Sequence, residues 1–315
     1  MNFSEILHQW CPLAKGHHLT ILTDDPQLTL ASEIAQDCSP FMKTVQFRNI
    51  SKTPLLSASD LPPHETEDLL IVLLSVETWM SGIHRLLSTF DSPKNWSAYS
   101  IMVRLSISRE SLLQGILTRK PEIETLLHTL RTQVADKTLR IQNSAGTDLT
   151  ILTRGFTALP YCCSPQQRHA FLPPSEVYTP LVEGVGEGQI AVDLTAGELR
   201  YGPKQIDLLG RCQDPLCIDI RNGQIQGFSG HSFAKILTKE FFSWKENCRL
   251  IVELGFGLSN MIPTGLIGVD ESILGTCHFG FGDNRLYGGN NEAPIHWDVV
   301  IQQPFWKIVK EGSSS

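Results

Sequence analysis

Residues 275–301, GTCHFGFGDNRLYGGNNEAPIHWDVVI, concentrate the side chains best suited to chemistry in this chain. They hold two histidines, His278 and His296, and an aspartate, Asp298, set two positions after the second histidine. In an extended strand, residues i and i+2 point to one face. His296 and Asp298 then reach the same point in space, while Trp297 and Val299 turn the other way into packing. His278 lies in a similar strand-like run, near Gly280, Gly282, Gly288 and Gly289, which let backbone approach a ligand or other backbone. An imidazole and a carboxylate on one strand, with a second imidazole nearby, suit a divalent cation of borderline softness. An H-x-D triplet is equally compatible with two ordinary hydrogen-bonded strand residues, so the company these residues keep must decide.

Two glutamates could join them. Glu253 lies within LIVELGFG (250–257), an apolar run, and a buried carboxylate is costly unless it is paired or holds a cation. Glu176 lies within LPPSEVYTP, where prolines hold an extended backbone on both sides, although a solvated loop glutamate fits there too. Glu271, in VDESILG, reads as a turn or helix start, and Cys277 alternates away from the face of His278 into packing. Glu176, Glu253, His278, His296 and Asp298 together would suffice for two metal ions with shared carboxylates. Such a pair lowers the pKa of a bridging water toward neutrality, which is hydrolytic chemistry.

The rest of the chain must position these groups. Its 315 residues predict two domains, each able to bury a core. A net charge of -7, with no Lys/Arg cluster, argues against a general nucleic-acid or anionic-membrane binder. No apolar run reaches membrane-spanning length. The N-terminal residues lack a charged segment followed by an apolar one, so no secretory signal is expected. The eight cysteines show no C-x-x-C spacing and read as reduced thiols of a cytoplasmic protein.

The first part, residues 1–136, reads as a small α/β domain. Residues 19–23 form a short apolar strand, followed by Asp24-Asp25-Pro26, a helix-start signal. Ala31, Ile34, Ala35 and Cys38 recur at the spacing of a buried helix face. Residues 42–47 alternate like a strand, and 55–67 form a Ser/Pro-rich loop. The continuous apolar run 69–74 predicts a strand covered on both faces, hence a parallel sheet. Trp79, Ile83, Leu86, Leu87 and Phe90 predict a helix, as do Ile123, Leu126, Leu127, Leu130 and Val134 after Pro121. No G-x-G-x-x-G follows the first strand, so a dinucleotide site is not expected.

From residue 137 to 315 the pattern changes. Five glycines precede position 160, leaving nineteen of the 24 for the remainder. Period-two runs replace helix stripes, Asn222-Gly223 between CIDIR and QIQGF signals a type I′ hairpin, and 232–242 is a helix candidate. The expectation is a strand-rich α+β domain, a curled sheet or barrel carrying the site, with a frayed polar tail over 307–315.

Five segments then fall in a familiar order: AGTDLT (145–150), LPPSEVYTPLVEGVGEGQIAVD, VELGFGLSN (252–260), DESILGTCHFGFGDN and GGNNEAPIHWDVV. In this order they resemble the aminopeptidase T family of metallo-aminopeptidases. The likeness covers the second half closely and the first half more loosely. It implies a homodimer and a peptidase centre holding two divalent ions, zinc or cobalt, on Glu176, Glu253, His278, His296 and Asp298. Glu176 or Glu253 would act as general base toward the bridging water. Two departures stand out. Ser175 replaces the family's glycine before the first glutamate, and Arg285 falls where the family has a tyrosine thought to assist the oxyanion, with Tyr287 two residues later. The same superfamily includes dihydroxypyridine ring-cleaving dioxygenases. They resemble this chain at His278, His296 and Asp298, which would form a facial triad for a single Fe(II). A third reading is a non-catalytic peptide binder, for instance in the maturation of peptide natural products.

Overall fold

A computed structural model describes residues 3–12, 17–52, 65, 68–79, 98–201, 204–285 and 288–309. The helices are α1 (Phe3–Trp10), α2 (Leu28–Cys38), the short α3 (Val76–Thr78), α4 (Arg109–Ile116), α5 (Lys120–Val134), α6 (Ala234–Ser243) and α7 (Ile267–Asp270). The first strands are β1 (His18–Thr23), β2 (Thr44–Asn49), β3 (Leu69–Leu73), β4 (Tyr99–Val103), β5 (Thr138–Gln142), β6 (Asp148–Thr153), β7 (Thr157–Ala158) and β8 (His169–Leu172). They continue with β9 (Glu176–Val192), β10 (Glu198–Tyr201), β11 (Lys204–Leu208), β12 (Leu216–Arg221) and β13 (Gln224–Ser229). The last are β14 (Ile251–Gly257), β15 (Thr276–Gly282), β16 (His296–Gln302) and β17 (Phe305–Ile308). None of the described helices is long and apolar enough to cross a membrane.

The chain divides into two compact units. The first comprises Met1–Lys120 and Leu159–Ser175 and is built on a five-stranded sheet in the order β2-β1-β3-β4-β8, parallel throughout. Every residue of β3, LLIVL, is buried, as its continuous apolar run requires of a strand covered on both sides. Helix α2 buries Ala31, Ile34, Ala35 and Cys38, the face read from spacing, and Leu30 as well. It begins at Leu28, later than the Asp24-Pro26 signal suggests. Asp24 is drawn instead to the end of β3, accepting from Ser75 N–H at 2.8 Å and Ser75 Oγ–H at 2.6 Å as well as Gln27 N–H at 3.1 Å. Apart from Trp79, the helix expected through Phe90 lies outside the described residues, and so does most of the loop over 55–67.

The second unit comprises Pro121–Ala158 and Glu176–Ser315, so the division does not fall at 136/137. Helix α5 clusters with the strand-rich part because its last turn is bonded there: the Thr153 hydroxyl at the end of β6 donates to the Val134 carbonyl. A ten-stranded sheet runs β16-β15-β14-β9-β6-β5-β17, with β7 and the β12–β13 ribbon attached to β9. Its path ends at β16 and β17 without closing, so this is an open sheet and not a barrel. The 17-residue β9 serves two sets of partners, β14 through residues 176–180 and β12 through 187–192. Between the two sets stands Gly184 (φ 76), a conformation natural to glycine. Asn222 and Gly223, at φ 50 and 66, make the tight hairpin that their sequence signals. Phe305–Ile308 form a strand paired with β5, so the tail expected to fray from 307 is ordered through Ile308 by that ladder.

Behind the site-bearing strands lies an aromatic core. Trp297, fully buried, packs against Phe228, Phe241 and Phe281, and its indole N–H donates to the Ala196 carbonyl at 2.7 Å. This anchorage fixes β16 and thereby the outward aim of His296 and Asp298 on either side of the tryptophan.

Candidate metal centre

The centre is built entirely within the second unit, on one face of β9, β14, β15 and β16. Antiparallel register places Pro180, Glu253, Gly280 and Asp298 in one row across these strands, and Tyr178, Gly255, His278 and Val300 in the next. Glu176 faces Gly257, and His296 faces Gly282. The alternate residues, among them Leu254, Phe256, Cys277, Phe279 and Val299, face the core and are buried. Cys277 thus packs away from the site, and burial, aided by the Asp193 charge, pushes its thiol pKa well up.

Glu253 stands between the two imidazoles. Its Oε1 lies 3.7 Å from His278 Nε2 and its Oε2 3.4 Å from His296 Nε2. Glu176 Oε2 closes the first side at 3.2 Å from His278 Nε2. Asp298 Oδ1 closes the second at 3.1 Å from His296 Nε2. Ligand atoms of Glu253, His296 and Asp298 all lie within 4.8 Å of one another, close enough to hold one ion. All five residues named from the sequence therefore meet, in two overlapping groups that share Glu253.

Glycine makes the room. A Cβ on Gly255 would fall inside the van der Waals envelope of the His278 ring, which lies flat over that residue. A Cβ on Gly280 would come within 2.9 Å of Asp298 Oδ1 and Glu253 Cβ and 3.1 Å of His296 Cε1. The carboxylates and imidazoles thus converge over strands with nothing standing between them. Glu253 Oε2 and Asp298 Oδ1 lie 3.4 Å and 3.1 Å from His296 Nε2, so one imidazole nitrogen faces two acceptor oxygens. Concentrated acceptors around a cradle of this kind fit a cation set.

The loop after β15 orients His296. The Asp283 carbonyl accepts from His296 Nδ1–H at 2.7 Å, which leaves Nε2 turned to the carboxylates. The Asp283 carboxylate in turn accepts from Ala293 N–H at 3.1 Å and from Arg285 N–H at 3.1 Å. Burial would raise the pKa of Asp283, but these bonds and the Arg285 guanidinium hold it below its ordinary value. Asn284 and Asn291 lock the same loop: Asn291 N–H donates to Asn284 Oδ1 at 2.8 Å, and Asn291 Nδ2 donates to the Gly282 carbonyl at 2.6 Å. Arg285, a sequence candidate for oxyanion stabilisation, is engaged by Asp283 at 2.7 Å and Glu292 at 3.0 Å. Tyr287, the other candidate, lies outside the described residues.

Sequence reasoning passed over Tyr178, which stands on the site face two residues after Glu176. Burial, then the charges of Glu253 and Glu176, raise the pKa of its phenol. The signal was available in the period-two spacing of EVY, which puts Glu176 and Tyr178 on one side.

In the metal-free protein the imidazoles serve as the counter-charges. Burial alone would lower the pKa of His278, but the charge of Glu176, its bond to Glu253 and the charges of Glu271 and Glu253 outweigh this and push it up to about 10. His296 is likewise pushed up to about 10, burial being overcome by Asp298, Glu253 and the Asp283 carbonyl. Asp298 moves the opposite way: burial would raise it, and the His296 charge holds it below the ordinary carboxylate value. Between pH 6.5 and about 10 the folded metal-free protein therefore keeps protons on both histidines that the unfolded chain has lost. The stabilisation is complete below the lower value and disappears as pH rises through the upper one. Thermal midpoints of chelator-treated protein should fall across that interval, and saturating zinc should flatten the slope by replacing the protons. A flat profile without metal would contradict this arrangement of charges.

No family model matches the chain, and no curated protein does. Solved structures do share its architecture. AmpT from Thermus thermophilus superposes with a TM-score of 0.59 at 12% identity, over 98% of this chain and 95% of its own. The 2,5-dihydroxypyridine dioxygenase from Pseudomonas putida KT2440 superposes with a TM-score of 0.56 at 15% identity, over 93% of this chain and 88% of its own. The chain therefore has the fold common to AmpT and this dioxygenase, the two branches to which its ordered sequence motifs point.

Proposed function

We propose that this protein is a metallo-aminopeptidase-like hydrolase acting on peptide N-termini. The observation that carries the reading is Glu253, buried and set between His278 and His296, with Glu176 and Asp298 completing the two sides. In this reading Glu176, His278 and Glu253 hold one divalent ion and Glu253, His296 and Asp298 hold another, zinc or cobalt. When bound, such a pair acidifies a water between the ions and polarises an amide carbonyl. Glu176 meets only one imidazole, whereas Glu253 is committed to both, so a Glu176 oxygen is better placed to take the water proton and pass it to the leaving amine. The anchored β16 and the Asp283 carbonyl keep His296 in the required tautomer. A homodimer and a peptide as substrate follow from the family resemblance, and eight cysteines outside any disulfide accord with a reducing, cytoplasmic setting.

The dioxygenase reading draws on a comparable structural likeness. Its triad of His278, His296 and Asp298 would leave Glu253 buried between both imidazoles with no cation of its own, which favours the hydrolase. The non-catalytic peptide binder draws on Arg285, whose guanidinium is already held by two carboxylates.

Metal analysis of protein purified without added ions separates the three. The hydrolase reading expects about two zinc or cobalt equivalents and cleavage of an aminoacyl amide. One iron with oxygen uptake would establish the dioxygenase instead, and no metal with measurable peptide affinity the binder.

A further inference from the structure

We propose that Tyr178 donates the hydrogen bond that stabilises the reacting carbonyl oxygen. This rests on the hydrolase reading above and deepens it by naming a catalytic residue. Tyr178 stands on the face of β9 that carries Glu176, and its cross-strand neighbours are Gly255 and, beyond it, His278. Neighbouring strands lie about 4.8 Å apart. Because Gly255 has no side chain, the His278 ring lies over it and fills the space between its own strand and the one that carries Tyr178. Among the described residues on this face of the four strands, Tyr178 and Thr276 carry hydroxyls, and that of Thr276 is given to the Ile273 carbonyl at 2.7 Å. Ionised carboxylates only accept, and Arg285 is engaged elsewhere.

Thr157, paired with Tyr178 across β7 and β9, hydrogen-bonds the phenol. A threonine hydroxyl can donate as well as accept. When Thr157 donates, the phenol's own hydrogen can be turned toward a ligand oxygen on the His278 side of the centre. The ring is buried, so that bond forms away from bulk water, where it is worth more.

The step balances without any further reagent. Water oxygen bonds to the amide carbon as the carbonyl π pair moves onto its oxygen, and the water proton goes to Glu176. Tyr178 O–H donates to the charged oxygen and keeps its own proton. The pair on that oxygen re-forms the carbonyl, the C–N bond breaks, and the leaving amine takes the proton from Glu176.

The test compares wild type and Tyr178→Phe, both as full chains loaded with zinc, by calorimetry against the phosphonic acid analogues of alanine, leucine and lysine. Their tetrahedral oxygens mimic the charged oxygen, so the variant should bind the best of them about 100-fold more weakly. Affinity for the corresponding amino-acid amide should change by less than about threefold, since that oxygen is uncharged. Where turnover of an aminoacyl p-nitroanilide is measurable, kcat should fall with KM unchanged. Zinc content and thermal midpoint of the variant check that the fold and the centre persist. Equal phosphonate affinity in both proteins overturns the role of Tyr178, and two zinc equivalents in the wild type would then leave the hydrolase reading standing. A zinc-loaded wild type that binds none of the three analogues also overturns it. A wild type that takes up neither zinc nor phosphonate overturns both.

Discussion

Glu253→Gln is expected to reduce turnover by about a thousandfold or more and to strip metal from both halves of the centre. Among the described residues this carboxylate is the one that reaches both imidazoles, at 3.7 Å from His278 and 3.4 Å from His296. An amide replaces one acceptor oxygen by a donor nitrogen and removes a negative charge where two cations would gather. The change is nearly isosteric in a strand buried along its whole length, so the fold should persist. The contrast with Glu176→Gln is diagnostic: of the two imidazoles Glu176 pairs with that of His278, and its loss should weaken only one ion. Plasma emission counts of bound zinc, taken with rates on an aminoacyl amide, check both. A Glu253→Gln protein that retained two zinc equivalents and wild-type rates would remove Glu253 from the chemistry.

Gly255→Ala should be almost as damaging, although glycine has no chemistry of its own. The added methyl would occupy the volume where the His278 ring lies. That ring is buried and cannot swing clear without leaving Glu176 and Glu253. Overpacking of this kind costs about 1–3 kcal/mol, and the displaced Nε2 takes one cation position with it. Gly227→Ala is the matched control. Its Cβ would meet nothing closer than Asp219 Oδ2 at 3.7 Å, in ordinary contact, so stability should change by no more than about 0.5 kcal/mol. Denaturant midpoints and zinc content of the two variants, measured side by side, give the answer. Wild-type stability and full zinc in Gly255→Ala would show that the ring does not rest where the structure puts it.

Much of this was legible in the chain, wherever the physics is local. Period-two alternation identified β16 and turned His296 and Asp298 to one side, with Trp297 to the other. The unbroken apolar run at 69–73 announced a doubly covered parallel strand, and Asn222-Gly223 announced its hairpin. The apolar setting of Glu253 marked a carboxylate that needed a partner. These signals depend on neighbours a few residues away, which is the range over which backbone geometry dictates where a side chain points.

What the tertiary structure alone decided depends on strand register between distant segments. Register set Glu253 opposite Gly280 and Asp298, set Tyr178 and His278 on either side of Gly255, and so divided five side chains into two groups sharing one carboxylate. It also gave Gly255 and Gly280 their purpose, since the space a glycine leaves is meaningful only once the neighbour filling it is known. Helix α5 went to the second unit, and Phe305–Ile308 became a strand, because each found its partner far along the chain. The composition of the site is thus a property of the sequence, while its division of labour follows from which strands lie side by side. The hydrogen bonds and burial that fix that pairing are summed over the whole sheet, and no single stretch of residues records the sum.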